Sequence, residues 1–487
     1  MTEAKTFSVK HLSSYIALLL IFGFGTWLVL RAGAVLYVDR QAIVSSAEPS
    51  AVSHSPVQPD SVPRSAVGAV HDNLRDSLSI LLLQLVVIIV AARLVGTLFQ
   101  KIGQPPVLGE IVAGILLGPS LLGWLAPQVM TFIFPASSME ILKLLSQIGV
   151  VLFMFVVGME LDVRHLRQRA HTAVMVSHAS IIVPFFLGVT LALVFYRSLA
   201  PASTSFSAFA LFMGIAMSVT AFPVLARILE DRRMSQTYLG SIALTCAAVD
   251  DVTAWCMLAL VIAFTKSGSV AGSLVTIGLA LGFAALMLLV VKRQLARVSR
   301  AWLPERPNGQ EQSRTLLAVT LAFLLACALL TESIGIHSLF GAFLAGVVMP
   351  PDVELRTLLK EKLEPLTAAA LLPLFFAFTG LRLQIGLLND WQGWAICAVI
   401  VAVAIAGKLG SSMLMARWCG MNWQDAFSLG ALMNTRGLVE LIVLNIGYDL
   451  GILSGRSFAM LVLMALITTF MTGPLVSLVR SEKTAQA

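Results

Sequence analysis

Charge is scarce in this chain. Charged residues make up only 12% of the 487 residues, whereas hydrophobic residues make up 58%. A soluble protein carries about twice that charged fraction. The mean hydropathy of +0.89 points the same way. The composition excludes an ordinary soluble domain and indicates an all-α protein that crosses a membrane many times, because helices satisfy their own backbone groups in lipid.

Cysteine is also sparse, and its spacing carries no motif. The five cysteines form no CxxC pair and lie in or beside apolar segments. We therefore expect small core residues and neither disulfides nor metal ligands, and no motif indicates a cofactor. The net charge of +7 fits Lys and Arg gathered in cytoplasmic loops better than a nucleic-acid partner.

The first 76 residues stand apart from the rest. We predict an N-terminal hydrophobic segment within residues 1–38, followed at Ala32-Gly33-Ala34 by an A-x-A pattern. That segment is an extra span or a cleaved signal peptide, and we favour the span. Residues 39–76 are rich in Ser, Pro, Val and Ala without a helical period. They predict a flexible extracytoplasmic linker.

Thirteen apolar segments follow within residues 77–480, the predicted transmembrane domain, and a short tail, 481–487, ends the chain. Several are short or interrupted by Gly and Pro, which is typical of helices that end inside the membrane. The segments run near 77–100, 107–125, 139–160, 172–196, 206–229, 237–264, 270–292, 314–331, 336–350, 364–380, 392–417, 424–449 and 456–480.

Successive loops alternate in their content of basic residues. One set of loops is rich in Lys and Arg, and the alternate set is nearly bare. The rich set predicts the cytoplasmic side, and it places the C-terminus in the cytoplasm. The basic loops include Lys101, Arg164, Arg167, Arg169, Arg232, Arg233, Lys292, Arg293, Arg297, Arg300, Arg356, Lys360 and Arg417.

An internal repeat is visible in the apolar segments. Residues 108–114 resemble residues 340–346, and residues 153–158 resemble residues 375–380. The copies lie seven spans apart, and because seven is odd they cross the membrane in opposite directions. An inverted repeat is typical of transporters and places a site near the midplane. The alternative is a chance likeness between apolar, glycine-containing helices.

Two adjacent aspartates, Asp250 and Asp251, lie in the middle of an apolar run from about 238 to 264. Carboxylates at membrane depth are costly and persist where they face a cavity, a partner or a moving ion. Neighbours on a helix point about 100° apart, so one can pair with a fixed cation while the other faces water. Lys408, deep in another apolar segment, is the natural partner. The alternative is that Lys408 snorkels to the interface.

Pro223 interrupts the fifth segment. It removes a backbone donor, and the freed carbonyls together with the hydroxyls of Ser218 and Thr220 are oxygen ligands that suit a hard monovalent cation. A bare kink without a ligand is the alternative.

The twelfth segment is the inverted counterpart, with Asn434 and Gly437 as its weak points. Arg436 and Glu440 are four residues apart on one helical face, and a structural pair between them is favoured.

These motifs resemble a known family. Residues 218–227, 248–255 and 434–442 are similar to motifs of the monovalent cation/proton antiporters, which include bacterial sodium/proton antiporters, Kef potassium systems and plant cation/H+ exchangers. The resemblance covers about residues 77–480. It implies a thirteen-span fold with a dimerisation domain, a mobile core domain and two crossed discontinuous helices. It also implies a homodimer embedded in the lipid bilayer of the plasma membrane, the inner membrane in a bacterium.

The resemblance further implies roles for individual residues. Asp251 holds a monovalent cation or a proton in turn, and Asp250 pairs with Lys408. Two acids with this lysine imply electrogenic exchange. The sequence leaves the cation open between sodium, lithium and potassium.

Three rival functions remain open from the residues alone. An intramembrane aspartyl protease needs facing carboxylates on different helices, whereas here they are adjacent and no GxGD motif occurs. An organic-anion symporter shares this repeat architecture, but the double acid and lysine argue against it. A sensor without transport is the third. Proton-coupled exchange that depends on Asp251 would separate the antiporter from all three.

Overall fold

The computed structural model describes residues 9–44, 77–160, 170–235, 237–266, 270–302, 310–350 and 352–485, and every regular element in these ranges is helical. The first helix, Val9–Val44, continues through residues 39–44, which we predicted as the start of the linker. Residues 45–76 of the predicted linker and residues 486–487 of the predicted tail lie outside the described residues.

Within each described range the helices follow one another with short connections. Two π-helical turns, Leu286–Val291 and Thr367–Leu371, and a 3-10 turn, Ile385–Leu388, join some of them. The α-helices after the first are Ser77–Lys101, Pro106–Leu117, Leu122–Leu125, Pro127–Ile133, Met139–Glu160, Ala170–Leu199, Phe206–Ser218, Phe222–Asp231, Tyr238–Lys266, Val270–Ala285, Lys292–Trp302, Gln310–Ile334, Ser338–Val347, Val353–Leu366, Leu372–Leu381, Trp391–Trp418, Trp423–Met433, Leu438–Asp449 and Gly455–Ala485.

Thirteen helical stretches in the described ranges are long and apolar enough to cross a membrane. One of them, Ala17–Ala34, is the predicted N-terminal segment. The predicted span near 336–350 is the ten-residue helix Ser338–Val347. At 1.5 Å per residue, that helix reaches only about half-way through a hydrocarbon core of roughly 30 Å. The predicted architecture of many apolar spans with helices ending inside the membrane is confirmed.

The long helices form two packing groups, which we call the core group and the frame. Contacts within each group are dense, and those between the groups are few. The core group comprises Ala170–Leu199, Phe206–Ser218, Phe222–Asp231, Tyr238–Lys266, Trp391–Trp418, Trp423–Met433, Leu438–Asp449 and Gly455–Ala485. The frame comprises Ser77–Lys101, Pro106–Leu117, Met139–Glu160, Gln310–Ile334, Ser338–Val347 and Leu372–Leu381.

Four glycines of the frame show the repeat in space. A Cβ on Gly380 would lie 2.9 Å from the carbonyl carbon of Gly114, and a Cβ on Gly346 would lie 2.9 Å from the Cα of Gly158. The sequence repeat aligns Gly114 with Gly346 and Gly158 with Gly380. The contact between Gly114 and Gly380 therefore corresponds to the contact between Gly346 and Gly158 when the two copies of the repeat are exchanged. This symmetry supports a true repeat, since a chance likeness of glycine-rich helices would not pair in this way.

Burial separates the centre of the molecule from its periphery. In the most apolar part of the stretch Trp423–Asp449, 94% of the residues are buried, whereas 17% are buried in the corresponding part of Ser77–Lys101. The exposed face of Ser77–Lys101 carries a large apolar residue every fourth position, at 78, 82, 86, 90, 94 and 98. Such a stripe faces lipid or another apolar surface. The stretch Trp423–Asp449, which carries Asn434, Arg436 and Glu440, is the most enclosed of the candidate spans in the described ranges.

Candidate ion-binding site

The first broken span consists of the helices Phe206–Ser218 and Phe222–Asp231. Between them the backbone is extended, with φ −72° and ψ 138° at Val219 and φ −91° and ψ 98° at Ala221. Pro223 lies in the first turn of the second helix, where its missing N–H is tolerated. If the preceding helix continued, the proline ring would clash with the carbonyl four residues earlier, which places the break ahead of Pro223. The predicted interruption at Pro223 is thus a complete break and not a kink.

The second broken span consists of the helices Trp423–Met433 and Leu438–Asp449. The chain leaves helical geometry from Asn434 to Gly437, which has φ +158° and ψ −121°. A Cβ at Gly437 would lie 2.8 Å from Cγ2 of Val224, so a side chain has no room there. Glycine is required for both reasons. The two predicted weak points therefore bound the break.

The two breaks cross and are joined by one backbone hydrogen bond and one side-chain hydrogen bond. The N–H of Ala221 donates to the carbonyl of Thr435 over 3.1 Å. The hydroxyl of Thr220 lies 3.2 Å from the carbonyl of Met433. Non-helical backbone at membrane depth needs such partners, because each unsatisfied group costs several kcal/mol. The predicted crossing of two discontinuous helices is confirmed.

Two buried cations hold the C-terminal end of the helix Phe206–Ser218. The guanidinium of Arg436 donates to the carbonyls of Ala216 and Met217, each over 2.7 Å. Lys408 donates to the carbonyl of Ser218. The last carbonyls of a helix have no partner within it, and its C-terminal end favours positive charge. Sequence reasoning missed this role, because nothing local in the sequence connects residue 436 with residue 216.

Arg436 also makes the predicted pair with Glu440. The Nη1–Oε1 distance is 3.3 Å, and neither side chain is exposed. The pair lies across the break, because Gly437 separates Arg436 from the helix that carries Glu440. Arg436 therefore joins the two broken spans, and Glu440 compensates its charge.

Four donors surround Asp250. Ser177 donates to Oδ1 over 2.5 Å, and Oδ2 accepts from Thr220 over 2.5 Å, from Ser180 over 2.9 Å and from Lys408 over 3.1 Å. All five side chains are buried. The predicted partnership of Lys408 with one of the aspartates is therefore present, and the snorkelling alternative is wrong. Sequence reasoning missed both serines, whose signal was a Ser-x-x-Ser spacing within an apolar helix.

Asp251 has a different environment. Its side chain is 2% exposed, and its buried Oδ1 has no hydrogen-bond partner. The backbone of Phe222, at the start of the helix Phe222–Asp231, interacts with the carboxylate. A helix N-terminus favours negative charge. Asp251 therefore has an acceptor oxygen that no protein group uses, whereas both oxygens of Asp250 are taken.

The other predicted ligand groups lie close by but point elsewhere. The hydroxyl of Ser218 donates to the carbonyl of Gly214 in its own helix over 2.6 Å. The hydroxyl of Thr220 is engaged by Asp250. Asn434 keeps a buried amide oxygen without a partner. In this conformation the fold brings these groups to the crossing point, but neither predicted hydroxyl is directed at Asp251.

A cavity leads towards this crossing from one end of the molecule. It has a volume of about 320 Å³, lies between the frame and the core group, and reaches Pro223 and Val224, next to Phe222. A second cavity of about 430 Å³ shares Gln100 and Arg227 with it and forms its mouth. The site is thus approached through a wide, arginine-lined opening.

The opposite end is closed by a polar cluster, which we call the latch. Asp449 of the core group pairs with Lys143 over 3.0 Å and with Arg382, both from the frame. Asn445 accepts from Arg382 over 2.9 Å and donates to Thr379 over 2.8 Å. The latch joins the two groups across the end at which they touch.

A buried carboxylate pair at the crossing of two broken helices, with one open and one closed end, defines an inverted-repeat ion transporter. Residues 85–480 match the transmembrane sodium/hydrogen exchanger family, and the chain belongs to this family. The resemblance read from the motifs is confirmed, and with it the prediction of a membrane transporter and not an enzyme.

Relatives support the assignment. The chain is 45% identical to the Na(+)/H(+) antiporter NhaS4 of Synechocystis sp., over 82% of this chain and 97% of that one. It is 39% identical to cation/H(+) antiporter 17 of Arabidopsis thaliana and 32% identical to K(+)/H(+) antiporter 1 of Saccharomyces cerevisiae, and spans 48% of each. The chain therefore covers about half the length of these plant and yeast relatives.

Solved structures agree on the fold. The sodium proton antiporter MjNhaP1 of Methanocaldococcus jannaschii at pH 8 superposes with a TM-score of 0.62 at 14% sequence identity. The match covers 82% of this chain and 96% of that one. At this identity the likeness concerns the fold alone.

Proposed function

We propose that the protein exchanges a monovalent cation for protons across the membrane, with Asp251 as the carboxylate that holds each ligand in turn. The observation that carries the proposal is the contrast between the two acids. Asp250 accepts from four side chains, whereas Asp251 keeps a buried oxygen without a partner. A buried acceptor without a partner is rare unless a ligand uses it.

Competition for one carboxylate couples the two fluxes. A cation that reaches Asp251 through the cavity displaces the proton, and a proton that returns displaces the cation. The core group then moves against the frame, which opens the latch end and closes the cavity end. Such alternating access needs few contacts between the groups, and this fold has that property.

Asp250 and Lys408 are the fixed charges of the site. Their contact ties the helix Tyr238–Lys266 to the helix Trp391–Trp418, and it holds Thr220 at the crossing point. With two acids and one lysine, the site carries a net negative charge when both acids are ionised. We propose electrogenic exchange on this basis. Each net charge moved gains about 2.3 kcal/mol per 100 mV of membrane potential.

The orientation of the protein in the membrane follows from its basic residues. Arg227 and Arg232 line the mouth of the cavity, on the side where the loops are basic. By the positive-inside rule this side is cytoplasmic, and so is the C-terminus. We propose an inward-facing conformation in the plasma membrane, the inner membrane of a bacterium, and a homodimer in the lipid bilayer. Sodium, lithium and potassium are the candidate cations, since relatives are named for both Na+ and K+.

Cation-induced pH change in proteoliposomes tests this function. Wild type, Asp251→Asn, Asp250→Asn and Glu140→Gln would each be challenged with Na+, Li+ and K+ against an internal pH dye. Glu140 is an exposed acid near a helix start and serves as the control. We expect one or more cations to move protons in wild type and Glu140→Gln, and none to do so in Asp251→Asn. Undiminished exchange in Asp251→Asn would remove Asp251 from the mechanism.

Electrogenicity is tested in the same vesicles. Valinomycin and a potassium gradient impose a membrane potential in one set of vesicles, and a second set has no potential. Na+ is the transported cation in both. A rate that follows the imposed potential supports net charge movement, and a rate that ignores it contradicts the electrogenic mechanism.

A further inference from the structure

Glu110 is a second acid inside the membrane domain. It lies in the frame helix Pro106–Leu117, is only 8% exposed, and lines the cavity of about 320 Å³. Within the part of the chain that the structure describes, no hydrogen bond or ion pair reaches its carboxylate. A carboxylate at membrane depth that faces a cavity and has no protein partner marks an ion pathway by default.

The charged groups around Glu110 are basic. Arg93, from Ser77–Lys101, is close enough to act on it electrostatically, but its guanidinium donates to the carbonyls of Ala368 and Ala369. Arg227, from Phe222–Asp231, lines the same cavity. The cavity walls from the other packed helices are apolar, namely Phe153 from Met139–Glu160, Phe376 from Leu372–Leu381 and Leu438 from Leu438–Asp449.

Arginines line the approach to Asp251. Arg227 and Arg232 line the mouth, and Glu110 is the one carboxylate among the described residues that line the two cavities. Positive charges that line a passage raise an electrostatic barrier to the entry of a cation. An acid beyond the mouth offsets that barrier and concentrates cations in the cavity.

The position of Glu110 also fits a site that the cation reaches before Asp251. The cavity that it lines ends at Pro223 and Val224, next to Phe222, whose backbone interacts with Asp251. Val107, one turn before Glu110, packs with Ala221, Val224 and Ile228 as an apolar plug. This apolar contact borders the cavity that Glu110 lines, and Ala221 within it directly precedes Phe222.

We propose that Glu110 is a second cation-binding carboxylate, which receives the monovalent cation in the cavity and passes it to Asp251 when the Val107 contact loosens. This inference rests on the proposed function. Glu110 belongs to the frame and Asp251 to the core group. Movement of the core group therefore separates the two acids and prevents the cation from returning to Glu110.

The test is the dependence of exchange on cation concentration. We expect Glu110→Gln to raise the apparent KM for the cation roughly tenfold, a factor that corresponds to about 1.4 kcal/mol, with the maximum rate within about twofold of wild type. Glu110→Asp keeps the charge and should give an intermediate KM. Glu140→Gln should keep the wild-type value. A wild-type KM in Glu110→Gln, or a lower maximum rate at unchanged KM, would overturn the proposal.

A second measurement does not depend on exchange. Proteoliposomes of Asp251→Asn, adsorbed on a solid-supported membrane, receive a jump in Na+, Li+ or K+. We expect a small transient charge displacement that is absent in the double variant Asp251→Asn/Glu110→Gln. Equal responses in the two would overturn the proposal. Steady exchange by Asp251→Asn would instead contradict the proposed function, so the two failures are distinguishable.

Folding is checked in parallel. The melting temperature of each detergent-solubilised variant is compared with that of wild type. If Glu110→Gln does not reach the membrane, Glu110→Asp carries the test, and a wild-type KM in that variant together with an unchanged charge displacement would count against the role.

Discussion

Lys408 Nζ lies 3.1 Å from Asp250 Oδ2, and neither side chain is exposed. The same ammonium group donates to the carbonyls of Ser180 and Ser218. One lysine thereby joins its own helix to three others, and one of its partners is an acid of the proposed transport site. A buried pair of this kind is costly to break by removing one partner, because the remaining charge is left without compensation.

Lys408→Gln should therefore destabilise the protein strongly. We expect a loss of about 3–5 kcal/mol, measured as a fall in melting temperature in detergent. The double variant Lys408→Gln/Asp250→Asn removes both charges and should recover part of the loss. Equal melting temperatures of Lys408→Gln and wild type would contradict this role.

Lys360 provides the matched control for Lys408. Its Nζ lies 2.5 Å from Glu160, but the two side chains are 45% and 39% exposed. Exposed pairs contribute between about 0 and 1 kcal/mol, so Lys360→Gln should change the melting temperature little.

Arg436→Lys should show that geometry matters at the crossing, and not charge alone. The guanidinium donates to two carbonyls at once, which a lysine ammonium on a flexible stem does not reproduce. We expect a loss of about 1.5–3 kcal/mol for the weakened charged hydrogen bonds, and reduced exchange. Arg456→Lys, at a partly exposed pair with Asp390, is the control and should stay near wild type in both measurements. An Arg436→Lys variant as stable and active as that control would show that a positive charge suffices.

The sequence predicted those features that depend on local chain properties. Apolar length identified the spans, Pro223 identified the first break, and Gly437 with Asn434 identified the second. The contact of Lys408 with one aspartate also followed, because a buried lysine without a local acid must find one elsewhere. One or two residues determine each break, and the cost of an unpaired buried charge determines that Lys408 finds an acid.

The parts that escaped prediction depend on packing between distant segments. Ser177 and Ser180 are ordinary residues of an apolar helix, where hydroxyls usually bond back to their own backbone. Only the approach of Tyr238–Lys266 directs them at Asp250. Similarly, Arg436 was paired correctly with Glu440, but its shorter contacts are with carbonyls more than 200 residues earlier.

Gly437→Ala should disrupt the site without removing any polar group. The added methyl group would meet Val224 at 2.8 Å, in a backbone conformation that residues with a side chain rarely adopt. The second break would have to shift, and with it the contacts of Thr435 and Arg436. We expect exchange to fall at least tenfold, a barrier increase of about 1.4 kcal/mol. Gly278→Ala, in a helix with nothing within 4 Å of the new Cβ, is the control and should exchange normally.

Asp449→Asn should shift the protein towards the conformation in which the latch is open. Asp449 pairs with both Lys143 and Arg382 across the two groups, while it is only 19% exposed. Two such pairs together contribute about 1–2 kcal/mol, so their loss raises the open population roughly five- to thirtyfold.

Ser146 lines the small cavity behind the latch and is 1% exposed. A cysteine placed there by Ser146→Cys, in a background without the five native cysteines, should react faster with a membrane-impermeant maleimide when Asp449→Asn is present. Glu332→Gln changes an exposed acid beside His337 near the same cavity and should leave the rate unchanged. If Ser146→Cys reacts at the same rate with and without Asp449→Asn, the latch does not hold this end closed.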